Sequence, residues 1–266
     1  MHGSPSEIEE SIQQVIGFSK LLASSAGSGS VVEMPGLIAP FGNVAIPLLN
    51  VVHATSKVRD LADLDRRAAA AVAYATPTGL PWLFGICDAW LPEGGADEIN
   101  GVLAEHGLHA AMKLTGMVAE ALLPPVRPLP EIELRQVADV ASAAAVSDIN
   151  CVAYGLPLDE GRRSIGNRPF YTGGNFGHLG FVDGTPVSCT ATLPIDGALY
   201  VALVATAEGH RRHGYCEAVM RRSLADASRA TGLSRTVLHA TEDGQPLYEQ
   251  MGYRVTTTFT YYATDH

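Results

Sequence analysis

Positive charge is scarce in this sequence. The chain has 18 lysine and arginine residues against 28 aspartate and glutamate residues, which gives a formal net charge of −10 at pH 7. General binding of nucleic acid depends on clustered positive charge, so we expect no nucleic-acid partner. The acidic balance mildly favours a cationic ligand instead.

Long apolar segments are also missing, although apolar residues make up 47% of the chain. The longest unbroken apolar run covers residues 68–75 and is far too short to cross a bilayer. Residues 1–7 lack a basic region followed by an apolar core, so we expect no signal peptide. The cysteines form no C-x-x-C pair, which is typical of free thiols in a reducing cytoplasm; they are Cys87, Cys151, Cys189 and Cys216. These absences predict a globular, cytoplasmic protein with no membrane association.

The most informative stretch that is present is a basic turn containing a glycine. It reads Arg211-Arg212-His213-Gly214-Tyr215-Cys216, follows a strand-like run over residues 198–206 and precedes a helical pattern. A helix N-terminus leaves backbone N–H groups unpaired and carries positive potential, and glycine lets a phosphate approach the main chain. The sequence therefore predicts a site for a phosphorylated ligand at this turn.

The periodicity of apolar residues predicts an α/β (α+β) chain. Helices are expected at 6–25, 61–75, 96–106, 134–151, 212–231 and 244–251. Strands are expected at 31–38, 44–54, 82–87, 108–122, 178–182, 187–193, 198–206, 235–240 and 253–262.

A proline-rich linker over residues 123–130 divides the pattern, so we expect one domain at 1–125 and a second at 126–266. The second half repeats the order of the first. The corresponding segments are 53–55 and 204–206, the helix 61–75 and the helix after Gly214, and 103–108 and 248–253.

The second half, roughly residues 132–262, resembles the GNAT superfamily of N-acetyltransferases, which use acetyl-CoA. The superfamily's pyrophosphate turn, Q/R-x-x-G-x-G/A, matches residues 211–216, with Cys216 standing where glycine or alanine is usual. The preceding Val204-Ala205-Thr206 and the later segment ending in Tyr248-Glu-Gln-Met-Gly252-Tyr253 also resemble it, in the same order. The resemblance implies a mixed, mostly antiparallel twisted sheet flanked by helices, in two tandem GNAT-like domains.

The resemblance also implies a role for each part of the site. Acetyl-CoA would be the co-substrate, and a small-molecule or peptide amine would be the acceptor. The diphosphate would bind at Arg211, Arg212, His213, Gly214, Tyr215 and Cys216. The pantetheine arm would pair with the main chain of Leu203, Val204 and Ala205. Tyr248 would be the general acid for the CoA thiolate.

The base that deprotonates the amine stays open among four residues and a water chain; the residues are Glu208, Asp196, His178 and Tyr200. No metal is expected, because His210 and His213 form an H-x-x-H pair without a third ligand. Cys216 is interpreted first as a small buried residue and second as a thiol whose oxidation would weaken CoA binding. The oligomeric state is open, although proteins of this superfamily are often homodimers.

The first half resembles the same fold without the residues that form the CoA site. No glycine follows His53-Ala54-Thr55 in the segment before residue 61, and Leu103 stands where the second half has Tyr248. We therefore expect this half to bind no CoA and to shape the acceptor pocket or form an interface. For the whole chain, the alternative to an enzyme is a non-catalytic acyl-CoA sensor. A Rossmann-type nucleotide binder is disfavoured, because G-x-G-x-x-G is absent.

Overall fold

The computed structural model describes residues 3–25 and 27–264 of the chain. These residues fall into two compact units. The N-terminal unit comprises the described residues of 3–116 together with 256–264, and the C-terminal unit comprises 117–255. Residues 256–264 therefore belong to the first unit, although they follow the second in the sequence. No helix of the described residues is both long enough and apolar enough to cross a membrane.

The N-terminal unit has helices on a mixed sheet. Its helices are α1 (Pro5–Ser25), α2 (Leu61–Ala75) and α3 (Ala96–Glu105). Its strands are β1 (Ser30–Met34), β2 (Leu37–Phe41), β3 (Val51–Ala54), β4 (Leu83–Cys87) and the portions of β5 (Leu108–Ala119) and β11 (Arg254–Thr264) that lie in this unit. The order across the sheet is β1-β2-β3-β4-β11-β5. β3 and β4 run parallel, whereas β1–β2, β2–β3 and β4–β11 are antiparallel pairs.

Helix α2 shows why the alanine-rich pattern folds as it does. Asp60 caps its N-terminus by accepting a hydrogen bond from the Asp63 amide. Leu64, Ala68 and Ala71 follow at helical spacing and are fully buried against the sheet. The small residues allow the helix to pack closely on the strands.

The C-terminal unit repeats this plan. Its helices are α4 (Val140–Tyr154), α5 (Leu158–Ser164), α6 (Arg168–Tyr171), α7 (Tyr215–Thr231) and α8 (Gln245–Gln250). Its strands are β6 (Glu133–Gln136), β7 (Phe176–Val182), β8 (Thr185–Ile195), β9 (Ala198–Thr206) and β10 (Thr236–Ala240). The order is β10-β9-β8-β7-β6, with β9 and β10 parallel and the other pairs antiparallel.

The predicted fold class and its internal repeat are confirmed. Each unit runs through an antiparallel hairpin, a third strand, a helix, a strand parallel to the third, and a further helix. The strands expected at 178–182 and 187–193 are present as β7 and β8, and they form a hairpin that turns at Asp183-Gly184, with φ of 50° and 76° at the two residues. Positive φ at both central positions is what a two-residue type I′ turn requires.

Three of the predicted elements were wrong. The strand expected at 31–38 is a hairpin, because Gly36 adopts φ +73° in a turn between β1 and β2. The strand expected at 44–54 begins only at Val51, after a short 3₁₀ helix. The helix expected at 134–151 begins at Val140, since Asp139 and Ser142 form a capping box there, and the preceding residues form the edge strand β6.

Candidate functional site

The turn between β9 and α7 presents a row of backbone N–H groups. Gly214 lies in the left-handed region, with φ +80°, and precedes the first residue of α7 without a side-chain cap. Within the described part of the chain, the N–H groups of residues 212–217 meet no acceptor. This uncapped helix N-terminus has the geometry that an anionic diphosphate requires.

Basic and aromatic side chains surround these N–H groups. Arg211 donates from Nε to the Thr206 carbonyl over 3.2 Å, so its side chain links the turn to the end of β9. Arg212 also takes positive φ, at +64°. His213 stacks on Tyr215, with ring centroids 5.5 Å apart, and Nδ1 of His213 lies 2.8 Å from the Arg211 carbonyl. The turn therefore combines positive charge with a braced backbone.

Both histidines of the H-x-x-H pair lie near the Tyr215 ring. The ring centroid of His210 lies 6.3 Å from that of Tyr215. Among the residues described, no group of three or more His, Cys, Asp and Glu side chains could hold a metal ion.

Strand β9 carries a bulge immediately before the turn. Cys189 pairs with Ala205 and Ala191 pairs with Ala202, so two residues of β9 stand opposite one residue of β8. Leu203 takes φ +52° within this bulge. The pairing of β9 with β10 ends at Val201 and Leu238. Beyond that pair, residues 203–205 of β9 pair with no described strand on the β10 side, and an unpaired strand edge can pair with an extended amide chain.

Side chains from α4 hold the bulge in place. Asn150 donates from Nδ2 to the Leu203 carbonyl over 3.2 Å, and the Cys189 thiol reaches the same oxygen at 3.4 Å. Tyr154 donates its hydroxyl to the Val204 carbonyl over 3.0 Å. With these carbonyls engaged on the helix side, the strained backbone keeps one conformation. Asn150 and Tyr154 could not be identified from the sequence, because helical periodicity gives no sign of a contact 50 residues away.

Tyr248 lies on α8 within the same apolar cluster as β9 and α7. It is buried, and its ring meets Tyr253 edge-on with centroids 5.9 Å apart. Burial, followed by the electrostatic influence of Cys216, Tyr154, Tyr253 and Tyr200, raises the pKa of Tyr248 well above 10. The phenol is therefore protonated at neutral pH, and the raised pKa makes it a weaker acid than a phenol in water.

The four candidate bases lie in different places. Asp196 lies in the turn before β9, at the opposite end of that strand from the basic turn. Glu208 is exposed in the short 3₁₀ helix after β9. His178 is buried on β7, two strands from β9, with Nε2 3.0 Å from Oδ2 of Asp226, and burial lowers its pKa. Tyr200 is the candidate at the end of the β9–β10 pairing, where its hydroxyl lies 2.9 Å from Nδ1 of His239.

The corresponding turn of the N-terminal unit, between β3 and α2, is occupied by the protein's own carboxylates. The Asp63 amide donates to Oδ1 of Asp60, and the Arg59 amide donates to Oδ2 of Asp63. Burial alone would raise the pKa of Asp63, but hydrogen bonds from Arg59 and Arg67 outweigh it and lower that pKa to about 2. Two carboxylates thus accept hydrogen bonds where the C-terminal unit leaves its N–H groups without acceptors.

Arg67 closes this turn from the other side. Its buried guanidinium donates to the Ser56 carbonyl over 2.7 Å and pairs with Asp63 over 3.0 Å. The turn is therefore internally satisfied by an arginine and two carboxylates.

Comparison with known proteins agrees with this geometry. Residues 195–256 match the family model described as acetyltransferase (GNAT) domain, which confirms the resemblance predicted for the second half. Nothing among the curated proteins matches the sequence.

Solved structures match over most of the chain. A GCN5-related N-acetyltransferase from Kribbella flavida is 20% identical, with a TM-score of 0.69 and 96% of each chain covered. A tandem GNAT protein from the clavulanic acid biosynthesis pathway is 12% identical, with a TM-score of 0.56, and the match covers 99% of this chain and 96% of the other. A GCN5-related N-acetyltransferase from Sphaerobacter thermophilus is 13% identical, with a TM-score of 0.58 and coverage of 86% and 76%. At these identities the matches establish the fold.

Proposed function

We propose that this chain, whose residues 195–256 carry an acetyltransferase domain of the GNAT superfamily, transfers the acetyl group of acetyl-CoA to a primary amine by direct attack in a ternary complex. The observation that carries the proposal is the row of N–H groups over residues 212–217, which meet no acceptor within the described chain. Charge-assisted hydrogen bonds from such a row are what a diphosphate needs.

The bulge supports the next step, the placing of the thioester. The strand edge at Leu203, Val204 and Ala205 adjoins the turn, so a pantetheine arm lying along it would place the thioester beside this edge, next to the end of the β9–β10 pairing at Val201. A backbone N–H of this edge would polarise the thioester carbonyl. A fixed donor of this kind contributes about 3–4 kcal/mol in other acyl-transfer sites.

Tyr248 is the proton donor in this proposal. When the amine nitrogen attacks the thioester carbon and the C–S bond breaks, the CoA thiolate takes the phenol proton. A phenol has a pKa of about 10 and a thiol one of about 8.5, so the transfer is uphill, and a water-excluded site limits the competing routes. Burial raises the pKa of Tyr248 above that ordinary value, which keeps the phenol protonated before the reaction and makes the transfer more uphill.

The N-terminal unit binds no CoA in this proposal. Asp60 and Asp63 accept hydrogen bonds from the amides at the start of α2, so a diphosphate would meet two carboxylates instead of free N–H groups. The negative charges of the diphosphate and of the two carboxylates would repel each other in this turn. One coenzyme per chain is therefore expected in a titration with acetyl-CoA.

The test is a screen for CoA release from acetyl-CoA with spermidine, L-lysine and phenethylamine as acceptors, with wild type beside Tyr248→Phe. The variant should lower kcat by about 10²–10⁴-fold with little change in acetyl-CoA affinity. Tyr253→Phe is the matched control, since it removes a buried hydroxyl bonded to Thr236 in the same cluster and should leave kcat within a few fold. Tight acetyl-CoA binding without turnover of any amine would instead identify a binding module. An unchanged kcat in Tyr248→Phe would show that the acid lies elsewhere.

A further inference from the structure

Tyr200 and His239 meet across β9 and β10 at the point where the two strands stop pairing. The Tyr200 hydroxyl lies 2.9 Å from Nδ1 of His239, and the ring centroids lie 5.6 Å apart. Tyr200 stands opposite Val237 in the parallel register, and the last pair is Val201 with Leu238. His239 is thus the first residue of β10 beyond the pairing, and it shares a sheet face with Tyr200 because side chains alternate along a strand.

Tyr200 lies within electrostatic range of the proposed proton donor, Tyr248 on α8. Tyr154 on α4 and Cys216 on α7 also lie within electrostatic range of Tyr248. Burial raises the pKa of Tyr154 and raises that of Cys216 to about 12, so both stay protonated. The charged group acting on Tyr154 is the Arg211 guanidinium.

Imidazole differs from these phenols and this thiol in its chemistry. It ordinarily exchanges a proton between pH 5 and 8, the range in which an alkyl ammonium group must be deprotonated before it can attack. Tyr200 is 3% exposed, whereas His239 is half-buried, so the pair connects the interior of the site to a group that solvent can reach.

Resting on the acetyl transfer proposed above, we propose that Tyr200 and His239 together accept the proton of the attacking amine. The ammonium proton passes to the phenol oxygen of Tyr200 as the phenol proton passes to Nδ1 of His239. This leaves a neutral amine, a neutral phenol and an imidazolium. The amine nitrogen then bonds to the thioester carbon, the C–S bond breaks, and the thiolate takes the proton of Tyr248.

The remaining protons also balance. The second amine proton is released as the amide forms and returns through solvent to the Tyr248 phenolate. The imidazolium of His239 gives its proton to water. The sum is one ammonium and one thioester converted to one amide, one thiol and one proton.

The experiment compares Tyr200→Phe and His239→Asn with wild type, using acetyl-CoA and the best acceptor among spermidine, L-lysine and phenethylamine. At about pH 7 both variants should lose about 10²–10⁴-fold in kcat/KM. The loss should shrink as the pH approaches 10, where an alkylamine becomes neutral without help. With hydroxylamine, which is already neutral near pH 7, the loss should stay within a few fold. Acetyl-CoA affinity and the circular dichroism spectrum should match wild type, and Tyr253→Phe should keep the wild-type pH profile.

Several outcomes would overturn the inference while leaving acetyl transfer in place. One is that the wild type is active and that Tyr200→Phe and His239→Asn both show its pH dependence of kcat/KM. Another is a loss that is equal at every pH and with both kinds of acceptor, because that indicates a structural role. A wild type that binds acetyl-CoA and acetylates none of the acceptors would overturn the proposed function, and this inference with it.

Discussion

Gly214→Val is the substitution that most directly tests the diphosphate site proposed at residues 211–216. Gly214 has φ +80° and ψ 1°, a conformation that costs an L-residue about 1–2 kcal/mol. A Cβ at this position would also come within 3.1 Å of Cδ of Pro130, so the linker would have to shift by a few tenths of an ångström. Both effects move the backbone that carries the N–H groups.

The size of the binding defect follows from the hydrogen bonds that the shift removes. A hydrogen bond to a charged group contributes about 1.5–3 kcal/mol, so the loss of two costs about 3–6 kcal/mol. Each 1.4 kcal/mol is about tenfold in affinity. Gly214→Val should therefore weaken CoA binding by about 10²–10⁴-fold.

The assay is isothermal titration of CoA into each protein, with thermal unfolding measured in parallel. Gly232→Val is the matched control. Gly232 ends the same helix with φ +77°, and a Cβ there would meet no atom of the described structure within 4 Å. Gly232→Val has the same free-energy cost of placing an L-residue in the left-handed conformation at an end of α7, but it does not alter the turn at residues 211–216. It should therefore lower the melting temperature and retain CoA affinity.

Wild-type CoA affinity in Gly214→Val would refute the reasoning. So would an equal loss of affinity in both variants, because general destabilisation of α7 would then explain the effect. Affinity lost in the first variant alone is the expected result.

Two further predictions concern charge and thiol chemistry. The pKa of Asp63 falls from its ordinary 3.8 to about 2 in the folded protein, so its contribution of about 2 kcal/mol is complete above pH 4 and is lost as pH falls towards 2. Asp63→Asn should thus flatten the acid limb of the unfolding free energy measured in urea between pH 4 and 2. Asp243→Asn, at an exposed position of the C-terminal unit, is the control and should not flatten it, and equal curves for the two variants would contradict the assignment. Because burial raises the pKa of Cys216 to about 12, its thiol should react slowly with iodoacetamide at about pH 7.5, as followed by mass spectrometry. Cys216→Ala should change acetyl-CoA affinity by less than about threefold, and rapid alkylation of Cys216 would favour the oxidation-sensitive interpretation.

The strand, turn and helix around Gly214 could be predicted because their signals are local. Alternating or helical apolar spacing, a glycine at a left-handed position and basic side chains all lie within about 30 residues of one another. The repeat of the fold could be predicted for the same reason, since each half repeats a local order of elements. The errors at residues 31–38 and 134–151 also arose locally, where a turn at Gly36 and a cap at Asp139 interrupt patterns that continue in the sequence.

The partners across the site could not be predicted. Asn150 reaches the Leu203 carbonyl across 53 positions of sequence, and Tyr200 meets His239 across 39. Neither contact has a periodic signal, because each depends on where β9 bulges and where β10 ends its pairing.

The sequence by itself determined the architecture of the two halves, the basic, glycine-containing turn before α7 and the position of the tyrosine on α8. Local backbone preference and the burial of apolar residues suffice for each of these. Only the tertiary structure decided which side chains hold the bulge in β9 and which of the four candidate bases lies at the end of the β9–β10 pairing. It also decided how Asp63 and Arg67 form hydrogen bonds within the turn of the first unit. Those arrangements depend on the register between strands distant in sequence, and a shift of one residue would place each side chain on the other face of the sheet.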